Sequence, residues 1–139
     1  MRTALGIILL GCALQTPLAF ACGHCVEDKV AAVYDYSVAM QAFAQKNQVA
    51  FFGIDGNLIS NDTNRREIEA SVREIAGIEK SSIRVSLESA SLSVVFNPRR
   101  TSFALLQRAL DKKLSTKKLS LLPLQIMDKP AQLGSASKI

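Results

Sequence analysis

The chain has 139 residues, 48% hydrophobic and 21% charged, with no Trp, one His and three Cys. That length suits one domain, and the composition excludes a disordered or collagen-like chain and large multi-metal or c-type haem centres. The net charge of +5 is dispersed in pairs such as Arg65-Arg66, Arg99-Arg100 and Lys117-Lys118, which excludes a nucleic-acid track, where Lys and Arg must cluster.

Met1-Arg2 opens the chain with positive charge, and Leu5 to Leu14 carries no polar side chain apart from the Cys12 thiol. Pro17 breaks that run, and Ala19-Phe20-Ala21 closes it with small residues at the −3 and −1 positions. This three-part order reads as a secretory signal over 1–21, cleaved after Ala21. The run falls short of the roughly 20 residues a membrane-spanning helix needs, so no transmembrane segment is expected in the mature chain. Lipidation of Cys22 is the alternative processing, although Ala19 and Phe20 stand where a bacterial lipoprotein signal has Leu and a small residue. Cleavage removes Cys12 and leaves Cys22 and Cys25 at the start of an exported chain, expected in the periplasm, where disulfides persist.

Val26 to Lys46 contains no Gly or Pro, and Val26, Val30, Val33, Ser37, Met40 and Ala44 recur at helical spacing. The pattern predicts one amphipathic helix, with Glu27 and Asp28 in its first turn and Lys46 in its last, complementing the dipole. Val49 to Ile54 predicts a buried strand ending at Asp55-Gly56. A polar loop from Asn57 to Thr63 leads to a helix from about Asn64, with Ile68, Val72 and Ile75 on one face and Gly77 as its C′ stop. Ile83, Val85 and Leu87 alternate with polar residues, Glu88 to Ser91 turns the chain, and Leu92, Val94 and Phe96 alternate on the way back. Thr101 or Ser102 caps a further helix with Phe103, Leu106, Ala109, Leu110 and Leu114 on one face. Leu119 to Met127 predicts a last strand with Leu122, Leu124 and Ile126 on one side, and Pro123 confines it to an edge. Tyr34, Tyr36, Phe51 and Phe52 read as core or helix-face residues.

The order of elements is a helix followed by β-α-β-β-α-β, which predicts an α+β ferredoxin-like βαββαβ sandwich preceded by an extra N-terminal amphipathic helix. The chain divides into the signal at 1–21, the cysteine motif and helix at 22–47, the βαββαβ domain at 48–128 and a polar tail at 129–139.

Gly77-Ile78, Ile83 to Leu87, Ala90 to Phe96 with Asn97-Pro98, and Thr101-Ser102 with Leu105 to Leu110 resemble heavy-metal-associated domains. The resemblance covers about Val49 to Met127 and implies soft-metal binding. Members of that family bind copper or zinc through a Met-x-Cys-x-x-Cys loop after the first strand. The corresponding Gly56-Asn57-Leu58-Ile59-Ser60-Asn61-Asp62-Thr63 keeps only the Gly, so the family's ligands do not carry over to this loop.

Thiols occur instead in Cys22-Gly23-His24-Cys25, ahead of the N-terminal helix. A helix over Val26–Lys46 running back along the first strand would return them to the Gly56 end of the sheet. Two thiolates suffice for Cu(I), with His24 or Met127 as a third ligand, whereas a structural zinc site wants four protein ligands. Copper, as Cu(I), is the expected ion, and Cu(II), nickel and zinc are alternatives. A free amine at Cys22 with His24 in third place also offers the square-planar amino-terminal site that suits Cu(II) or Ni(II). The expected function is a non-enzymatic metal carrier whose partners are the ion and a metal-donor or metal-acceptor protein. Two rivals stay open. Cys-Gly-His-Cys is also the active-site tetrapeptide of protein disulfide isomerases, and Cys22–Cys25 could be a structural disulfide in a metal-free interaction domain.

Overall fold

The computed structural model describes residues 22–130, with side chains from Val26 onward. The expected signal, the side chains of Cys22, His24 and Cys25, and the tail beyond Pro130 lie outside the described residues.

The N-terminal region corrects the expectation of one continuous helix over 26–46. It forms α1 (Cys22–Val33) and α2 (Tyr36–Ala44), separated at Tyr34-Asp35. Asp35 adopts extended backbone, and its Oδ1 accepts the Val38 N–H at 3.1 Å and the Ser37 hydroxyl at 3.0 Å. Its Oδ2 accepts Arg84 Nη2 at 3.0 Å and Nε at 3.2 Å. These bonds hold the Asp35 carboxyl below its ordinary pKa, the Val38 N–H contributing most. An Asp that finds both a free helix start and a distant cation does better as a cap than as a helix-interior residue. Because α1 starts at Cys22, Glu27 and Asp28 fall outside its first turn, where they were expected to meet the dipole.

The sheet follows with β1 (Gln48–Gly56), β2 (Arg84–Ser86), β3 (Ser91–Phe96) and β4 (Leu119–Met127), all antiparallel in the order β2-β3-β1-β4. Helices α3 (Asp62–Arg73) and α4 (Phe103–Ser115) join β1 to β2 and β3 to β4. This is the ferredoxin-like arrangement that the resemblance to heavy-metal-associated domains implied. Asn61 rather than a residue near Asn64 starts α3, accepting the Asn64 N–H at 2.8 Å, and Ser102 caps α4 through Leu105 N–H. Gly77 is not the C′ residue of α3, which ends at Arg73. It turns the chain at φ 89° beyond that end, where an added Cβ would lie 2.8 Å from the Thr101 methyl.

Two cores lie on opposite sides of the sheet. Ala50, Phe52, Ile54, Leu92, Val94 and Phe96 face α3 and α4 and pack against Ile68, Val72, Leu106, Leu110 and Leu114. The three leucines recur every fourth residue, and truncating Leu110, which is fully buried, would cost about 2–5 kcal/mol. Val49, Phe51 and Val95 point the other way and meet Val30, Val33, Ala39 and Ala42 of α1 and α2. The N-terminal helices thus cover the second sheet face, so all six residues of β3 are buried rather than alternating with solvent.

β4 is an edge strand, as Pro123 requires, but a bulge shifts its register opposite Phe51 and Phe52. Ile126 pairs with Ala50 and Leu122 with Gly53, which face opposite layers, so Leu122, Leu124 and Ile126 do not share a side. Leu119 and Leu121 supply the buried contacts instead, and Leu122 is 56% exposed.

Candidate metal centre

Gly56 is the C-terminal residue of β1, at the same pole of the sheet as the β2–β3 turn and the start of β4. Its φ is 126°, and an added Cβ would stand 2.5 Å from the Lys118 carbonyl oxygen, so this position admits only glycine. The loop beyond it satisfies itself: Asn64 Nδ2 donates to the Ile59 carbonyl at 2.8 Å while Asn61 caps α3. It contains no thiol, and among the described side chains no group of three His, Cys, Asp or Glu could hold a metal ion.

Cys22-Gly23-His24-Cys25 forms the first turn of α1. Two contacts fix how α1 crosses the sheet. Near its C-terminus the Ser93 hydroxyl donates to the Val33 carbonyl at 2.8 Å, in a buried bond. One turn earlier, Lys29 Nζ donates to the Ser89 and Ala90 carbonyls of the β2–β3 turn at 2.7 and 3.2 Å. The Lys29 stem also lies over β1, since a Cβ built at Gly53 would touch it at 3.9 Å. Passing from Val33 to Lys29 therefore follows β3 from Ser93 towards Ala90, which is the direction of the Gly56 pole.

Small residues make this close passage physically reasonable. Gly53, Ser91 and Ser93 present little bulk towards α1, and Ser91 is fully buried with its hydroxyl unpartnered among the described residues. A single-residue turn at Ala90, with φ 48°, directs its carbonyl to the Ile54 N–H at 2.7 Å and leaves it within reach of Lys29.

Met127, expected as an alternative third ligand, is corrected by the register. It pairs with Val49 at the opposite end of β1, roughly 20 Å along the strand from Gly56. It packs with the second core and does not approach the pole that Lys29 grips. Sequence reading missed Lys29 itself. The available signal was a lone Lys inside the Val26-Val30-Val33 stripe, four positions after Cys25 and so on the same helix face.

No protein-family model matches the chain, and no curated protein matches it. Among solved structures it is similar to a copper-binding domain from HMA7, a P-type ATPase, at 16% identity and a TM-score of 0.46, over 57% of this chain and 96% of that one. It is similar to oxidized MerP from Ralstonia metallidurans CH34 at 16% identity and a TM-score of 0.45, over 57% and 99% of the two chains. It is also similar to the N-terminal domain of a potential copper-translocating P-type ATPase from Bacillus subtilis, solved in the Cu(I)-loaded state. The values there are 23% identity and a TM-score of 0.45, over 60% of this chain and 94% of that one.

Proposed function

We propose that the protein is an exported carrier of a soft metal ion, copper as Cu(I), which Cys22 and Cys25 hold through their thiolates with His24 as a third donor. The observation that carries this reading is the Lys29 clamp on the Ser89 and Ala90 carbonyls. It directs the start of α1 towards the pole where a heavy-metal-associated domain would carry its own thiols. The donor set fits the ion, because two thiolates and an imidazole suit Cu(I) and do not fill the four-ligand shell of structural zinc. A helix N-terminus favours the thiolate over the thiol, which keeps both sulfurs ready to bind. The ion is cargo, and the protein's partners are proteins that deliver or accept it. Residues 1–21 act as the export signal, and the periplasm is the working compartment. No helix among the described residues is long and apolar enough to cross a membrane.

Competition against a Cu(I) chelator tests the assignment. The wild-type protein should take up one Cu(I), and Cys22→Ser/Cys25→Ser should lose it. Equal affinity in the double variant would overturn the site. The reduction potential of the same protein addresses the oxidoreductase rival, since a Cys22–Cys25 value far below roughly −300 mV suits a structural disulfide rather than an exchanging one.

A further inference from the structure

The two edges of the sheet are finished differently. On β4 the outward Leu121 N–H is held by the Asp111 carboxylate at 2.9 Å, and Pro123 has no N–H to offer, so a further strand cannot pair there. The β2 edge has no such protection. The Val95 N–H donates to Ser82 Oγ at 2.8 Å, and its carbonyl accepts the Glu79 N–H at 2.9 Å, so Val95 spends both groups on the β2 side of β3. By strand alternation Ser93 and Ser91 do the same, and they pair with Arg84 and Ser86. The Val85 N–H and C=O must then point away from the sheet, and neither has a partner among the described residues.

This open edge lies at the bottom of a groove. Two clefts of about 580 and 200 Å³ share Ala32 of α1, Arg65 of α3 and Val85, so the helices flank the strand on both sides. Recession decides between occupants. A second copy brings its own edge between its own helices, so edge-to-edge pairing would set helix against helix, whereas one extended segment fits between Ala32 and Arg65. Charge sets its composition. In the groove Asp62 pairs with Arg65 and Asp35 with Arg84, which leaves Glu69 and Glu88 in no ion pair among the described residues. Two negative charges therefore remain on a chain whose net charge is +5.

We infer that the groove between α1 and α3 binds a basic, extended segment of another protein, which adds as a fifth strand to the β2 edge at Val85. One residue of the segment exchanges both backbone hydrogen bonds with Val85, and its Lys or Arg neighbours reach Glu69 and Glu88. This inference is independent of the thiols and stands or falls apart from metal binding.

The test is amide exchange and chemical-shift mapping on the ¹⁵N-labelled protein with a capped hexapeptide of alternating Lys and Val. Binding should shift Ala32, Arg65 and residues 84–88 and slow exchange of the Val85 N–H. Replacing both Glu69 and Glu88 by Lys should weaken it about tenfold, as two exposed charge contacts reverse, while the melting temperature stays put. Val85→Pro removes the outward donor and should abolish binding; should that variant misfold, the charge-reversal pair still decides. Shifts centred on β4, or equal binding of a hexapeptide of alternating Glu and Val, would overturn the inference. Protection of the Val85 N–H before any peptide is added would overturn it as well. In a dimer such protection would assign the edge to a second copy, and in a monomer to the chain's own tail.

Discussion

Val33→Asp offers a sharp test of how α1 is held. Val33 is 4% exposed and Val30 8%, and they are the buried hydrophobic residues of α1 among those described. At about 1.5–2 kcal/mol each, their burial seats α1 by roughly 3–4 kcal/mol, an upper bound by area. Val33→Asp removes half of that and places a carboxyl against Phe51 and Val95. Docked, the new carboxyl would have its pKa raised by burial; released, it would titrate at about 3.9. A raised docked pKa makes docking favourable below the released value and erodes it as pH rises. The erosion is ~1.4 kcal/mol per pH unit, so the remaining ~2 kcal/mol is exhausted at about pH 5.5. α1 should therefore release as a unit at neutral pH, because Val30 and Val33 are its buried apolar anchors and the rest of the surface beneath it includes Gly53, Ser91 and Ser93. The core between the sheet, α3 and α4 does not contain Val33 and should persist. Amide exchange followed by NMR, at about one pH unit below that midpoint and again at neutral pH, reads both regions. The expected result is protection in α1 that is present at the lower pH and lost at the higher, with α4 protected at both. Cooperative loss of α1 and α4 together, or unchanged α1 protection at neutral pH, would refute the reasoning.

Gly56→Ala should destabilise the protein by at least about 2 kcal/mol in denaturant melts, since it combines a positive φ with a backbone clash at Lys118. Asp35 and Glu74 are both held below their ordinary values, Asp35 chiefly by the Val38 N–H and Glu74 by Lys113. Their contribution is complete above the ordinary carboxylate value of about 4 and is lost as pH falls below it through the lowered folded values. Asp35→Asn keeps a capping oxygen but no longer titrates, so it should flatten the acid limb of melting temperature against pH. One residue inserted before Cys22 moves His24 to fourth place, and should abolish any square-planar Cu(II) spectrum while Cu(I) affinity is kept. A Cu(II) spectrum that survives the insertion would show that the amino-terminal site does not exist.

Much of the fold was legible because it rests on local pattern. Leu106, Leu110 and Leu114 share one helix face and are all buried, and Pro123 marked an edge strand that is one. What escaped was decided at long range. The apolar spacing runs through Tyr34-Asp35 without a break, and Asp35 leaves the helix because Arg84, 49 residues later in sequence, meets its second oxygen. The bulge that separates Leu122 from Ile126 is a property of how β4 pairs with β1, and periodicity within one strand cannot contain it. Polar Ser91 and Ser93 offered no hint of full burial, since that depends on α1 lying across them. For the site, the tetrapeptide was plain in the sequence. Lys29, which orients its helix, looked like an ordinary interruption of an apolar stripe.

The two-sided sheet also limits how this architecture could be shortened. A chain beginning at Gln48 would retain every element of the βαββαβ unit and its larger core. It would nonetheless bare Val49, Phe51 and Val95 together on one flat face. Contiguous apolar surface of that kind drives association, so the minimal unit should self-associate more readily than the full chain. The N-terminal helices thus act as a covalently attached lid over the aromatic and branched residues beneath them.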